Sequence, residues 1–120
     1  MFLQLAHTKL NVYQFSQELA LECYQVTKRF PSDERFAMVQ QIRRAAISVH
    51  LNIAEGSSRR SQAERNRYFE ISRGSVIEID SAIGIAFKLE YINIEEIRNL
   101  GESIIKTFKL LSGMIKRDMQ

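Results

Sequence analysis

Five arginines lie close together in the middle of the chain, and arginine is the side chain best suited to binding phosphate. They are Arg59, Arg60, Arg65, Arg67 and Arg73. A planar guanidinium donates paired hydrogen bonds to phosphate oxygens. Residues 43–73 hold seven arginines against three glutamates, although the net charge of the whole chain is only +3. This local surplus of positive charge predicts a basic patch that binds RNA or DNA.

A solvated surface is the alternative interpretation of the same arginines. Glu64 and Glu70 dilute the positive charge, and charged turns usually serve solubility. Neither an RNA-binding signature with interleaved aromatic residues nor a DNA recognition helix is present in the sequence, so sequence-specific readout is not indicated. Tyr68 and Phe69 are interpreted as core or interface residues rather than as platforms on which bases stack.

The side chains needed for catalysis or metal binding do not occur in a suitable pattern. His7 and His50 are far apart, and Cys23 is a single cysteine that cannot complete a structural zinc site. The serines near the arginines lack a matching histidine and acid. The glycines never form the spacing of a phosphate-binding loop. We therefore expect no enzymatic activity and no cofactor or metal.

Length and composition indicate one ordinary globular domain. The chain has 120 residues, of which 45% are hydrophobic and 26% charged, enough to bury one core. The lone Cys23 suits a reducing cytoplasm. The apolar start is short and lacks a basic leader, so we expect no secretory signal, and no apolar run reaches the roughly 18 residues of a membrane span. We expect an N-terminal tail over residues 1–10 and a single domain over residues 11–120, without membrane association.

Apolar residues recur at steps of three and four, which predicts four amphipathic helices. The first is expected over about residues 11–29 before Pro31, and the second over about 33–55. The third should run from Ser61 to about 91, and the fourth from about 93 to 116. The second has the clearest seam, formed by Val39, Ile42, Ala46, Val49 and Ile53. Short connections force consecutive helices to run antiparallel, so the predicted fold is all-α, an up-down-up-down four-helix bundle.

Local signals mark several of the expected helix ends. Ser61 with Glu64, and Asn93 with Glu96, have the spacing of a capping box. Gly56 is placed for the left-handed position that follows a helix. These residues predict where the second helix ends and where the third and fourth begin.

The outward faces of the second and third helices are less polar than a monomer requires. The candidate interface residues are Arg44, Ser48, Asn52, Glu55, Gly74, Ile77, Ser81 and Gly84. A glycine inside a helix costs about 1 kcal/mol relative to alanine, so two glycines on one face favour the close approach of another backbone. The alternative is that the glycines are tolerated and Ile77 is a stray exposed side chain. We predict self-association through this face.

Arg44, Ser48 and Asn52 are spaced four apart, so their side chains can form one hydrogen-bonded row. Glu55 and Glu78 are candidate carboxylate partners for Arg44. If the row is buried, it sets register and orientation more than stability. The alternative is a solvated helix face.

Several segments together resemble the 23S rRNA intervening-sequence protein family. They are Phe30–Glu34, Gln41–Ser48, Asn52–Gly56, and Gly74-Ser75 followed by Glu78. The resemblance implies an antiparallel four-helix bundle that assembles as a ring-shaped homopentamer. Some family members are encoded within insertions in bacterial 23S rRNA genes. A distantly similar pentamer, the accessory protein of diversity-generating retroelements, engages nucleic acid and a reverse transcriptase.

Two functions are consistent with these patterns. The first is a non-enzymatic homo-oligomer that binds RNA or DNA through its arginines. The second is a scaffold that presents helices to a protein partner, with the arginines serving solubility. Nucleic-acid binding that weakens steeply with salt would distinguish the first from the second.

Overall fold

The computed structural model describes residues 1–116, and this part of the chain contains helices and turns but no strand. The four helices are α1 (Asn11–Thr27), α2 (Met38–Ser57), α3 (Gln62–Lys88) and α4 (Ile94–Lys116). Short 3-10 turns at Ala6–Lys9 and Ser32–Glu34 precede α1 and α2. The predicted all-α fold with four helices is confirmed.

Each helix packs against two others. α1 contacts α2 and α4, and α3 also contacts α2 and α4. Two hydrogen bonds show that α1 and α2 run in opposite directions. His50 in the second half of α2 bonds Ser16 in the first half of α1, at 2.8 Å. Near the start of α2, the Arg43 Nε donates to Thr27 Oγ1 at the end of α1, at 2.9 Å.

The core lies where the apolar seams of the helices meet. Every member of the predicted α2 seam is at most 8% exposed, and Leu19, Ile79, Leu100 and Leu111 are fully buried on the other three helices. Burying a side chain of this size contributes about 2 kcal/mol. The amphipathic spacing therefore predicted the inner face of α2 correctly.

The start of α2 was predicted too early. Instead of beginning near Asp33, the helix begins at Met38, after a separate 3-10 turn closed by Glu34 N–H to Pro31 O at 2.9 Å and by Arg35 N–H to Ser32 O at 3.1 Å. The Glu34 carboxylate accepts a hydrogen bond from the Tyr91 hydroxyl at 3.0 Å. This tertiary contact holds the turn against the α3–α4 connection, an effect that local capping rules do not include.

The two predicted caps are present. Ser61 Oγ accepts the Glu64 N–H at 3.1 Å. Asn93 Oδ1 accepts the Glu96 N–H at 2.8 Å, and the Glu96 carboxylate accepts the Asn93 N–H at 3.0 Å. These bonds satisfy amide groups that a helix start otherwise leaves without a partner.

The prediction for Gly56 was wrong. Gly56 lies inside α2, is buried, and does not have a positive φ. A Cβ at this position would lie 2.8 Å from the Phe69 Cε1 and 2.9 Å from the Tyr68 Cβ. Glycine is needed here because α3 approaches the backbone of α2 closely, not because the chain turns left-handed.

The left-handed residue is instead Glu90, after α3, where φ is 65°. The Glu90 N–H donates to Phe87 O at 3.0 Å and the Tyr91 N–H donates to Ala86 O at 2.9 Å. This pair of bonds is a Schellman motif, which usually contains glycine. No glycine marks this turn in the sequence, so α3 ends at Lys88, earlier than predicted.

Candidate oligomer and nucleic-acid interfaces

The connection between α2 and α3 is held by two of the predicted phosphate-binding arginines. The Arg65 Nη1 donates to the carbonyl oxygens of Arg59 and Arg60 at 2.9 and 2.8 Å. The Arg59 Nη2 donates to Glu55 Oε2 at 2.9 Å and to the Tyr68 hydroxyl at 3.0 Å. These guanidinium groups close the turn that connects the two helices.

The other three arginines are placed differently. Arg60 and Arg67 are exposed beside the turn. The Arg73 guanidinium lies 4.8 Å from the ring centre of Phe108, and its Nε is buried without a hydrogen-bond partner among the described residues. The structure thus brings four of the five arginines to one end of the α2–α3 hairpin and places Arg73 against α4.

Tyr68 and Phe69 lie under the same turn. Phe69 is 2% exposed, whereas Tyr68 is half-buried, with its ring 4.9 Å from the Arg59 guanidinium. One face of the Tyr68 ring is thus covered by an arginine of the same chain, which favours the interpretation that Tyr68 stabilises the turn.

The outer face of the α2–α3 hairpin is the side that is turned away from the core. It exposes several large apolar side chains. The most exposed are Leu51 and Ile85 at 56%, Ile77 at 52% and Ile71 at 50%. The sequence interpretation had placed Ile71 on neither face. A Cβ added at Gly74 or Gly84 would meet no atom within 4 Å, so neither glycine is required by packing within the chain.

Hydrogen bonds connect part of the predicted polar row. The Asn52 Nδ2 donates to Ser48 O at 2.9 Å and to Ser48 Oγ at 3.1 Å, and Ser75 Oγ of α3 bonds Ser48 Oγ at 2.8 Å. Ser81 is exposed further along the outer face. The row therefore crosses from α2 to α3, where it fixes the register of the two helices.

Arg44, also expected in that row, is exposed and forms no ion pair within residues 1–116. Its two candidate carboxylate partners are used elsewhere. Glu55 pairs with Arg59, and Glu78 accepts a hydrogen bond from Gln41 at 3.3 Å. The Arg44 Nη2 donates to the Gln40 amide oxygen at 3.2 Å, and the remaining N–H groups of this exposed guanidinium are available to an anionic group from outside the chain.

A half-buried histidine joins α2 to α1. Ser16 Oγ donates its single proton to Tyr13 O at 2.8 Å and lies 2.8 Å from the His50 Nδ1. The His50 Nδ1 must therefore carry the hydrogen and donate it to Ser16. Burial, together with the nearby His7, lowers the pKa of His50. Burial therefore favours the neutral ring, whereas the bond to Ser16 fits either protonation state.

On the opposite side of the bundle, α1 and α4 form a groove of about 580 Å³. Its lining includes Glu18, Glu22 and Glu102, and the Ser103 hydroxyl donates to Glu22 Oε1 at 2.6 Å. Burial, with smaller effects of the two neighbouring carboxylates, raises the pKa of Glu22 although the Ser103 bond opposes the rise. The groove is acidic, in contrast to the α2–α3 turn.

Reactive and metal-binding groups give no second candidate site in the described part of the chain. Cys23 is fully buried, and burial raises the pKa of its thiol to about 12, which keeps the sulfur in its unreactive form. Within residues 1–116, no cluster of three His, Cys, Asp or Glu side chains could hold a metal ion. None of the helices described is both long enough and apolar enough to span a bilayer.

Comparison with known proteins identifies a matching family and a similar solved structure. A family model described as 23S rRNA-intervening sequence protein matches residues 8–113. A crystal structure of a protein with unknown function from the S23 ribosomal protein family, from Bacteroides thetaiotaomicron, has a TM-score of 0.78 and 25% sequence identity. The match covers 88% of this chain and 98% of that one. No curated protein matches the chain.

Proposed function

We propose that this chain, which belongs to the 23S rRNA-intervening sequence protein family, is a non-enzymatic homo-oligomer that binds RNA or DNA in the cytoplasm. Copies associate through the outer face of the α2–α3 hairpin. The exposed arginines of the α2–α3 turn then bind the phosphates of the nucleic acid. The contacts between neighbouring helices support an antiparallel up-down-up-down order of the bundle.

The observation that carries the proposal is the composition of the outer face. Its isoleucines are about half exposed, and Gly74 and Gly84 face open space. Exposed apolar side chains that share one helix face are typical of a protein–protein contact. Each glycine costs about 1 kcal/mol in a helix, and a second backbone packed against it offsets that cost. The family resemblance favours five copies arranged as a ring.

Nucleic-acid binding rests on the two arginines that the fold leaves free. Arg60 and Arg67 are exposed beside the α2–α3 turn, whereas Arg59 and Arg65 bind groups of their own chain. Two arginines per subunit make a weak contact, but a ring repeats the contact around its axis. Repeated phosphate contacts give tight binding that weakens as salt concentration rises.

Fluorescence anisotropy with mixed-sequence RNA and DNA at two salt concentrations tests the nucleic-acid role. The double variant Arg60→Glu with Arg67→Glu should abolish binding of duplex RNA and DNA at low salt and leave helicity unchanged. The matched control is Arg98→Glu with Lys109→Glu, which changes the same charge at exposed positions of α4. An equal loss of binding in both variants would mean that net charge, not the turn, controls affinity.

A protein-interaction scaffold is the second candidate, and one observation favours it. Because Arg59 and Arg65 have hydrogen-bond partners within the turn and Arg73 packs against Phe108, three of the five arginines have a structural role that needs no nucleic acid. Absence of binding to RNA and DNA at low salt, by a chain that nevertheless self-associates, would support the scaffold.

Light scattering of a single variant tests the oligomer. Ile77→Asp places a charge on the outer face and should give a smaller particle with unchanged helicity, because a buried unpaired carboxylate opposes association. Ile105→Asp is the control, since Ile105 lies on α4 and is 54% exposed, close to the 52% of Ile77. Unchanged mass for Ile77→Asp would remove this part of the proposal.

A further inference from the structure

A second basic surface lies at the other end of the α2–α3 hairpin, where the start of α2 meets α1. It is a groove of about 520 Å³ whose lining includes Arg35, Arg43, Arg44, Tyr24 and Phe36 and contains no carboxylate. Three cations with no acidic residue among them favour an anionic ligand. Two aromatic rings in the same groove favour a ligand with flat, stackable groups.

Phe36 is the most unusual residue of this groove. Its side chain is 80% exposed, in the short segment between the Ser32–Glu34 turn and α2. The Arg35 guanidinium lies over one face of the ring, 5.1 Å from its centre, so a base would stack on the other face. An exposed phenylalanine next to an arginine offers one surface for a base and one charge for the adjoining phosphate.

The other cations are positioned differently. The Arg43 Nε donates to Thr27 Oγ1 at 2.9 Å, its Nη2 donates to Tyr24 O at 3.3 Å, and its guanidinium lies 4.6 Å from the Tyr24 ring centre. Arg43 is therefore a fixed positive charge in the wall of the groove. Arg44 is exposed on the rim and forms no ion pair with its own chain in the described range.

We propose that this groove binds single-stranded nucleic acid, with one base stacked on Phe36 and the neighbouring phosphates at Arg35 and Arg44. The inference rests on the proposed nucleic-acid function and adds to it a second contact, specific for unpaired bases. A duplex can bind only to the turn arginines, because its bases are stacked on each other and cannot stack on Phe36. An acidic peptide would match the charge of the groove but would leave the Phe36 ring without a role.

A single reporter at the ring gives a direct test. Because the chain contains no tryptophan, Phe36→Trp introduces the only indole, and a stacked base quenches its fluorescence. Titration with a single-stranded oligonucleotide of about 10 nucleotides should quench this variant. The matched control is Phe2→Trp, since Phe2 is 87% exposed elsewhere in the chain. Equal quenching in both variants would overturn the proposal.

Affinity measurements separate this groove from the turn. Phe36→Ala should weaken binding of a single strand about tenfold, while leaving duplex binding and binding of an abasic strand of the same charge unchanged. Unchanged single-strand affinity in Phe36→Ala, with binding lost in the variant that replaces Arg60 and Arg67 by glutamate, overturns the groove and leaves the proposed function intact. Weaker single-strand binding by Phe36→Ala, with unchanged binding by that double variant, supports the groove and contradicts the role proposed for the turn arginines. Binding of a polyglutamate peptide in preference to a single strand overturns the groove as a nucleic-acid site.

Discussion

The inner and outer sides of the α2–α3 hairpin use the same residue types for different purposes. On the inner side, Gly56 is glycine because Phe69 and Tyr68 would collide with a Cβ. On the outer side, Gly74 and Gly84 have open space where a Cβ would be. The inner glycine is explained by the fold of one chain, whereas the outer glycines require a different explanation.

Serines and arginines show the same difference. Ser72 and Ser75 are buried and hydrogen-bonded to α2, at 2.7 Å to Val49 O and 2.8 Å to Ser48 Oγ, while Ser81 is exposed. Arg65 binds carbonyls of its own turn, while Arg67, two residues later, is exposed. The residues that one chain leaves without a structural role are those available to another copy or to nucleic acid.

The largest predicted effect concerns the inner glycine. Gly56→Ala should lower the free energy of unfolding by about 3 kcal/mol, because α2 and α3 must move apart to admit one methyl group. Chemical denaturation followed by circular dichroism measures this change. A neutral or stabilising result would mean that the hairpin is loosely packed, and the contrast with the outer face would be lost.

The next effect concerns the turn arginines. Arg65→Ala should lower the free energy of unfolding by about 2 kcal/mol, since two carbonyl groups lose charged hydrogen-bond donors. Arg67→Ala is the control and should change stability very little. Equal stability of the two variants would contradict the structural role assigned to Arg65.

The outer glycines should respond in the opposite direction to Gly56. In the dissociated subunit, Gly74→Ala should raise the free energy of unfolding by about 1 kcal/mol through helix propensity. The same variant should weaken self-association, because the added methyl group separates the two backbones. Gly101→Ala on α4, also in open space, should stabilise the helix without changing particle mass. Gly74→Ala with unchanged mass would indicate that this glycine is merely tolerated.

The smallest expected effect concerns pH and the inner side of α2. The folded protein lowers the pKa of His50, so the unfolded chain binds a proton at this side chain more readily than the folded chain does. The stability that the neutral ring contributes is complete above the ordinary histidine pKa and is lost as pH falls through the lowered value. Chemical denaturation from about pH 7.5 to about pH 5 should show this loss. His50→Gln keeps a hydrogen-bond donor for Ser16 and should flatten the curve. An unaltered pH dependence in that variant would place the titrating group elsewhere.

The amphipathic periods predicted the helices and the α2 seam because burial of apolar side chains dominates the energetics of such elements. The starts of α3 and α4 followed from capping residues. The start of α2 did not, because the bond between Glu34 and Tyr91 joins residues that are far apart in sequence. Gly56 was misinterpreted for the same reason, since its neighbour Phe69 belongs to another helix.

The candidate sites were less predictable than the fold. Sequence identifies arginines but not which carbonyl groups they bind, so Arg59 and Arg65 could not be separated from Arg60 and Arg67. Phe36 was overlooked as a candidate because it falls in a segment expected to be helical. The sequence does contain a signal for this groove. Arg35-Phe36 lies seven residues before Arg43-Arg44, and an aromatic residue among arginines is typical of a surface that binds single strands.

The mass of the intact particle tests the central claim most directly. One subunit weighs 13.9 kDa. Native mass spectrometry of the unmodified chain at low salt should give a whole-number multiple of that mass, and the multiple should fall on introducing Ile77→Asp. A particle of a single subunit at every protein concentration would contradict the view that the outer face of α2 and α3 packs against identical copies.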